Sequence, residues 1–300
     1  MDMIKIKSRN YYIKGGTNTG LYIFKDKYCL LIDPGISNAR GNRIIKFLKD
    51  NNLRPKGIII THEHSDHYGA TKRIVEEFSG CKVYSSCECK KIIKDPNIYM
   101  HYTCGGESNK IFENFFSNRN FIVQDINELE KTLKLNDYKF EIIELKGHSN
   151  GQIGILTEEK VFFIGDALFD KDILKKYNLP YLFSVKDQLN TLDIIKNTDF
   201  EYLILGHSKS ILQKNEALDL IELNKENIYK YIDLVKELLE EPLSKEDLLS
   251  QIIILNELKL NYKEYYFSAT TVNSLIAYLI DIDYLDYSLE NGKIYYYKKY

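Results

Sequence analysis

The segment KGIIITHEHSDHYGA at residues 56–70 joins an apolar run to a dense group of histidine and aspartate side chains. The run GIII predicts a buried strand that leads directly into the motif THEHSDH. Side chains alternate along an extended segment, so His62 and His64 point to the same side. Asp66 and His67 follow at a turn and can reach a neighbouring position. Imidazole and carboxylate groups are typical ligands of divalent metal ions, so the motif predicts a metal site.

Three further ligand candidates each follow an apolar run that predicts a strand. FEIIEL at 140–145 precedes His148, VFFIG at 161–165 precedes Asp166, and YLIL at 202–205 precedes His207. In sheet proteins, ligands bind where loops leave the ends of strands. Five of the six histidines belong to this set, which favours a shared function over scattered structural roles.

Seven ligands are too many for one tetrahedral zinc ion, but they suit two metal ions about 3.5–4 Å apart with a bridging carboxylate. We predict a first metal held by His62, His64 and His148 and a second held by Asp66, His67 and His207, with Asp166 as the bridge. A water between two such ions would lose a proton near neutral pH and become a hydroxide nucleophile. Asp66 is predicted to orient this hydroxide, and so to be catalytic as well as a ligand. Zinc is the expected metal, although such ligands also suit iron and manganese.

Short apolar runs alternate with turns and helical patterns over residues 1–221. LYIF at 21–24 and CLLID at 29–33 predict strands, whereas 41–50 and 70–78 show helical spacing. Strands interleaved with helices predict an α/β sandwich with buried sheets, which we expect to form a catalytic domain.

The pattern changes over residues 222–300, where three helical stretches precede a hairpin. The first ends before Pro242, the second follows Ser244 as an N-cap, and the third covers about 268–280. Asn291-Gly292 between two alternating runs is a strong hairpin signal, and this order of elements is typical of a winged-helix domain. Residues 224–300 carry nine Lys and Arg against thirteen Asp and Glu, which argues against nucleic-acid binding. We expect instead that this region packs on the catalytic domain or forms a homodimer.

Composition places the chain among ordinary globular proteins. Its 300 residues carry a formal net charge of −2, which predicts neither a basic surface for nucleic acid nor disorder. No apolar run approaches the roughly 18 residues that span a membrane, and the N-terminus lacks the apolar core of a signal peptide. We therefore expect a cytoplasmic protein without a membrane partner, in which the five cysteines are free thiols.

These motifs resemble those of the metallo-β-lactamase-fold superfamily. The resemblance covers LLIDPG at 30–35, THEHSDH, GHSNGQ, IGDALF and LGHS, in the family's order and over most of residues 15–210. It implies an αββα sandwich with the metals at one edge of its two sheets. It also implies that Asp33 supports the ligands without binding metal, although on its own residues Asp33 could equally be a turn residue before Pro34.

The site is most similar to the glyoxalase II, RNase Z and general hydrolase branch of that superfamily. The familiar secreted β-lactamases carry Cys where this chain has Asp166, which argues against antibiotic hydrolysis. We therefore predict hydrolysis of a small-molecule ester, thioester or lactone. A nuclease or phosphodiesterase and a mononuclear iron oxidoreductase of the same fold are the alternatives, because the same ligands suit those reactions.

Residues 85–125 lie between the ligand motifs and are predicted to be irregular. The segment is rich in aromatic side chains and also contains a methionine and a histidine: Tyr99, Met100, His101, Tyr102, Phe112, Phe115 and Phe116. It would overhang the metal edge, where it forms either a wall of the substrate pocket or a small core of its own. His101 could donate a hydrogen bond to a substrate oxyanion, although a single histidine is more often not catalytic.

Overall fold

Side chains on the central strands alternate between two separate cores. In a computed structural model, which describes residues 1–113, 121–126 and 131–299, Leu31 and Ile58 pack beneath helices. Their neighbours Leu30, Ile32 and Ile59 point the other way, into a core shared with a second sheet. A sheet that is buried on both faces requires a layer on each side, which produces a layered sandwich.

The first sheet is antiparallel on one side and parallel on the other. Its strands in the described residues are Met3–Lys7 (β1), Asn10–Ile13 (β2), Thr19–Ile23 (β3), Tyr28–Ile32 (β4), Arg54–Ile59 (β5), Lys82–Ser85 (β6) and Gln124–Asp125 (β7). They lie side by side in chain order, with β1 to β4 antiparallel and β4 to β7 parallel.

The second sheet faces the first across the shared core. Its described strands are Thr132–Leu135 (β8), Tyr138–Glu144 (β9), Ile153–Thr157 (β10), Val161–Phe163 (β11), Tyr202–Ile204 (β12) and Leu212–Gln213 (β13). Strand β10 is antiparallel to both β9 and β11, and β11 is parallel to β12. The carboxyl ends of β9, β11 and β12 therefore meet at one edge of this sheet.

Helices cover the outer face of each sheet. The described helices are Asn38–Asp50 (α1), Ser65–Tyr68 (α2), Thr71–Glu77 (α3), Cys87–Lys94 (α4), Asn97–Cys104 (α5), Lys110–Glu113 (α6), Lys171–Tyr177 (α7), Val185–Asn197 (α8), Lys214–Leu238 (α9), Lys245–Leu255 (α10) and Tyr262–Asp281 (α11). Apolar residues of α1 and α3 pack on the first sheet, and those of α8 and α9 pack on the second. The predicted αββα sandwich is confirmed. No helix of the described residues is both long and apolar enough to cross a bilayer.

Two features of the C-terminal region lie where the sequence predicts them. Ser244 caps α10 by accepting a hydrogen bond from the backbone of Asp247, and the Asn291-Gly292 turn joins strands Leu285–Glu290 (β15) and Lys293–Lys298 (β16). A short strand, Leu243–Ser244 (β14), completes a small third sheet. Two helices begin earlier than predicted. Helix α9 runs unbroken across the predicted boundary at 221/222, and α11 begins after an Asn261 cap that bonds with Glu264. The winged-helix assignment and the domain boundary stay predictions.

The C-terminal helices are joined to the sandwich by one continuous apolar core. Side chains of α10 and α11 belong to the same cluster as Phe162 and Leu203 of the second sheet. The hydroxyls of Thr271 and Ser274 on α11 also accept hydrogen bonds from the backbone of Leu182 and Val185. The C-terminal region thus packs on the sandwich, as expected from its lack of a basic face.

The prediction of irregular structure over residues 85–125 is wrong for much of that segment, because α4, α5 and α6 lie in it. The side chain of Ser86 caps α4 by accepting a hydrogen bond from the backbone N–H of Cys89, and serine is among the preferred residues at this position. Tyr99, Met100 and Phe112 form a small core with Tyr266 and Phe267 of α11. Phe115 and Phe116 lie outside the described residues.

Candidate metal centre

All seven predicted ligands lie at the strand ends that meet along one edge of the sandwich. His148 follows β9, Asp166 follows β11 and His207 follows β12, so the three converge at the edge of the second sheet. The THEHSDH motif follows β5 of the first sheet. The backbone N–H of Ile153 in the second sheet donates a hydrogen bond of 2.9 Å to the carbonyl of Thr61, which follows β5 of the first sheet. This bond connects the edges of the two sheets beside the motif. Chain direction therefore brings together residues that are far apart in the sequence.

The first ligand group consists of His62, His64 and His148. The Nδ1 of His64 lies 3.1 Å from Nε2 of His62 and 2.9 Å from Nε2 of His148. Three imidazole nitrogens therefore point at one small volume, and this group could hold a metal ion.

The second ligand group consists of Asp66, His67 and His207. Oδ2 of Asp66 lies 3.0 Å from Nε2 of His207 and 3.7 Å from Nε2 of His67. These three ligand atoms also lie close enough together to hold one metal ion.

Asp166 lies between the two groups. Its Oδ2 is 3.4 Å from Nε2 of both His67 and His207, and 3.8 Å from Nε2 of His148. One carboxylate thus faces nitrogens of both groups, which is the geometry that a bridging ligand requires.

Asp33 is a buried support for the site. Its Oδ1 accepts from the backbone of Thr61 at 2.8 Å, and its Oδ2 accepts from the Thr61 hydroxyl at 2.6 Å. The same Oδ2 lies 2.8 Å from Nδ1 of His67. A carboxylate on Nδ1 keeps Nε2 of His67 free to bind metal. The geometry thus agrees with the supporting role that the family resemblance implies.

Backbone carbonyls orient two more of the histidines. Nδ1 of His148 donates to the carbonyl of Tyr181 at 3.1 Å, and Nδ1 of His207 donates to that of Gly16 at 2.7 Å. In each ring the opposite nitrogen, Nε2, then faces the ligand group.

Electrostatics differ between the two groups. Burial lowers the pKa of His62, His64 and His148, so these imidazoles are neutral near pH 7. The carboxylate of Asp166 raises the pKa of His207 to about 12. Burial opposes a charge on His67, but Asp166, Asp33 and Asp66 together raise its pKa to about 10.

Burial also opposes ionisation of the two aspartates among the ligands. The imidazoles of His67 and His207 outweigh that effect and hold the pKa of Asp66 and Asp166 below the usual range. Both carboxylates are therefore ionised at neutral pH, the form in which they bind metal.

The two groups also differ in access to solvent. In the first group His62 is fully buried, His148 is 5% exposed and His64 is partly exposed. In the second group His67 is fully buried, but the side chains of Asp66 and His207 are 34% and 29% exposed. The site therefore opens to solvent on the side of the second group.

Aromatic rings cover the first group. Tyr99 of α5 and Tyr181 lie with ring centroids 5.3 and 5.6 Å from that of His64. Phe169 lies 5.6 Å from His148, and Phe267 of α11 packs on Tyr181 at 5.0 Å. The predicted insertion thus forms a wall beside the metal position and a small core as well.

Sequence reasoning missed several residues near the site. Phe169 ends the IGDALF motif that contains Asp166, but the motif alone did not show that its ring would lie against His148. Tyr181 and Phe267 lie in separate segments, and no local pattern connects them to the ligands. Glu63 is buried inside the motif, accepts from Ser149 at 2.8 Å, and has a pKa that burial raises to about 7. His101 is exposed on α5 and lies in neither ligand group.

An αββα sandwich with two adjoining groups of side chains that could hold metal ions at its edge defines a class of candidate metal-centre proteins. Comparisons with known proteins identify the family. Residues 12–207 match the sequence profile of the metallo-beta-lactamase superfamily. The match covers more than half of the chain, and the chain belongs to this superfamily.

Relatives with curated names include hydroxyacylglutathione hydrolases. The enzyme of that name from Prochlorococcus marinus strain MIT 9312 is 30% identical over 178 residues, which cover 58% of this chain and 59% of that protein. Hydroxyacylglutathione hydrolase GloC of Haemophilus influenzae is 32% identical over 157 residues, which cover 52% of this chain and 68% of that protein. The chain spans 59% and 47% of the lengths of the relatives from two Prochlorococcus strains.

Solved structures share the fold over the whole chain. A beta-lactamase domain protein from Burkholderia ambifaria superposes with a TM-score of 0.77 at 13% identity, covering 99% of this chain and 94% of that one. A metallo-beta-lactamase family protein from Thermus thermophilus gives a TM-score of 0.68 at 17% identity, covering 99% and 97%. The likeness therefore includes the C-terminal region as well as the sandwich.

Proposed function

We propose that this protein is a metal-dependent hydrolase that binds two divalent metal ions and cleaves a small thioester. The observation that carries the proposal is the pair of adjoining ligand groups with Asp166 facing both. Curated relatives named hydroxyacylglutathione hydrolases favour a thioester over other carboxyl substrates.

The residues present fit a metal ion better than they fit a hydrogen-bonded network. Nε2 of His67 is buried and has no hydrogen bond within the described residues, although it faces Asp66 and Asp166. A buried polar atom without a partner is costly, and a metal ion would satisfy it. His62, His64 and His148 would hold one ion, Asp66, His67 and His207 the other, and Asp166 would bind both. Imidazole and carboxylate ligands of this kind favour zinc, with iron and manganese as alternatives.

Two ions at these positions would supply a hydroxide nucleophile near neutral pH and polarise the substrate carbonyl. The side chains of this chain do the rest. Ionised Asp66 is the exposed ligand carboxylate, so it can accept a hydrogen bond from the attacking water and orient it. The aromatic residues over the first group exclude water from that side, so that a substrate approaches from the side of Asp66 and His207.

The test combines metal content with a substrate panel. Protein purified without added metal is analysed by elemental mass spectrometry and assayed with a hydroxyacyl thioester of glutathione, a simple ester, a lactone and a phosphodiester. We expect two equivalents of metal and fastest turnover of the thioester, both lost in Asp166→Ala. Fully metallated protein that cleaves no thioester would overturn the proposal. One equivalent of iron with oxygen uptake would support the oxidoreductase alternative instead.

A further inference from the structure

Arg40 on α1 is a buried cation that the proposed chemistry does not use. Arg40 is only 6% exposed, and no carboxylate of the described residues forms an ion pair with its guanidinium. Burial and the nearby positive charge of Arg43 lower the pKa of Arg40 to about 10, so it is still charged at neutral pH. A buried charge without a counter-ion is destabilising, so its presence calls for a role.

The guanidinium of Arg40 holds both ends of one loop. It donates to the carbonyls of Ile13 and Lys14, each at 3.0 Å, and to the hydroxyl of Thr19 at 3.4 Å. Between these contacts lies the segment KGGTN at residues 14–18, which connects β2 to β3 and is called loop 14–18 below. A planar group with several donors suits this task, because it can bind two carbonyls at once.

Loop 14–18 touches the second ligand group at two points. The carbonyl of Gly16 accepts from Nδ1 of His207 at 2.7 Å, and the hydroxyl of Thr17 lies 3.5 Å from Oδ2 of Asp66. The backbone of Asn18 also donates to the carbonyl of Gly206 at 2.8 Å, next to His207 in the chain. The position of the loop therefore decides where Nε2 of His207 points.

The two ends of the loop are held differently: Asn18 at the second end donates from Nδ2 to the carbonyls of Leu205 and Ser208, whereas the glycines at the first end have no side chains of their own to anchor them. Gly15 and Gly16 are adjacent and exposed, and glycine loses the most conformational freedom when a segment is ordered. A Cβ on Gly15 would lie 2.8 Å from Cζ of Arg40, whereas a Cβ on Gly16 would meet open space. The guanidinium thus packs directly against the first glycine of the pair.

We propose that Arg40 is a positioning residue for the second ligand group, which fixes loop 14–18 and through the Gly16 carbonyl the ring of His207. The inference rests on the two-metal site proposed above. A residue that only stabilised the fold would affect both ligand groups alike, but this role predicts a loss confined to the second. Orienting contacts of this kind change metal affinity by roughly ten- to a hundredfold.

The first test compares Arg40→Met with Arg43→Met, since Arg43 is an exposed arginine on the same helix. Metal-free protein is examined by hydrogen–deuterium exchange, and metal affinity is measured by competition with a chelator. In Arg40→Met we expect faster exchange over residues 14–20 and roughly ten- to a hundredfold weaker binding of the second ion, with the first ion unchanged. Arg43→Met should match the wild type in both measurements. Unchanged exchange in Arg40→Met, or equal weakening of both ions, would overturn the proposal.

If Arg40→Met does not fold, a second pair of variants tests whether Arg40 positions loop 14–18. Gly15→Ala forces a Cβ against the guanidinium and the carbonyl of Thr17, whereas Gly16→Ala meets no atom. We expect weaker binding of the second ion in Gly15→Ala alone, and the same affinity in both variants would reject the role of Arg40. If the wild type binds only one ion, the two-metal function fails by itself. The exchange of loop 14–18 in the metal-free variants then still decides whether Arg40 holds the loop.

Discussion

The two candidate ligand groups face one carboxylate, that of Asp166, but are built differently. In the first group His62 and His148 are buried, His64 is partly exposed, the imidazoles are neutral, and aromatic rings from three segments lie against them. The second group is partly exposed, carries imidazoles whose pKa values are raised by carboxylates, and depends on a glycine-containing loop for the orientation of His207. From this comparison we expect the first position to be the more rigid of the two, and the substrate of the proposed reaction to approach the second.

Removing the shared carboxylate is the change that should affect both groups most. We expect Asp166→Ala to lose both ions and to lower kcat/KM by more than about a hundredfold, the upper end for residues that only support a ligand. Metal content and thioester turnover, measured on the same preparation, check this. Retention of two full equivalents would show that Asp166 does not bridge.

Removing one histidine from each group separates the two positions. His207→Ala should keep the first ion and lose the second, whereas His148→Ala should weaken the first ion, and each should lower kcat/KM by about a hundredfold. His101→Ala is the matched control, since His101 is exposed outside both groups and should behave as wild type. Loss of the same ion in both ligand variants would contradict the assignment.

Altering the support of His67 should act on the second group through its orientation. Asp33→Asn keeps the shape of the side chain but removes the charge beside Nδ1 of His67. We expect affinity for the second ion to fall roughly ten- to a hundredfold, with less effect on the first. The exposed Asp26→Asn serves as control in the same chelator competition. An effect on the first ion alone would be inconsistent with this role.

The pH dependence of metal binding should also distinguish the two groups, without any substitution. In metal-free protein the raised pKa values of His67 and His207 keep both rings protonated at pH 7, so a metal ion must displace their protons. Affinity of the second position should therefore rise between pH 6.5 and 8.5, by up to about tenfold per pH unit for each proton displaced. The lowered pKa values of the first group leave its imidazoles already neutral, so its affinity should change little. Parallel slopes for both ions in chelator titrations would refute this difference.

The candidate ligands could be found in the sequence because each follows a recognisable strand. Apolar runs before His148, Asp166 and His207 predicted β9, β11 and β12, and the structure brings all three residues to one edge. Each ligand follows the carboxyl end of its strand, and the three strands run in the same direction, so the three ligands lie at the same edge of the sheet. Helices α4 and α5 lie in a segment predicted to be irregular, because each is only eight residues long and so shows little helical periodicity in the sequence.

The sequence by itself determined the candidate ligands and the hairpin at Asn291-Gly292, since each was found from a motif of a few residues, and it determined the sandwich through the order of its strands and helices and through the family resemblance. Only the tertiary structure decided which nitrogen of each imidazole faces the site, because the orienting groups Asp33, Gly16 and Tyr181 come from distant segments. It also decided that Tyr99 and Phe267 lie together beside the first group and that the guanidinium of Arg40 donates to the carbonyls of Ile13 and Lys14. Such contacts form where elements distant in the sequence pack together, and the local periodicity of the chain does not predict which elements these are.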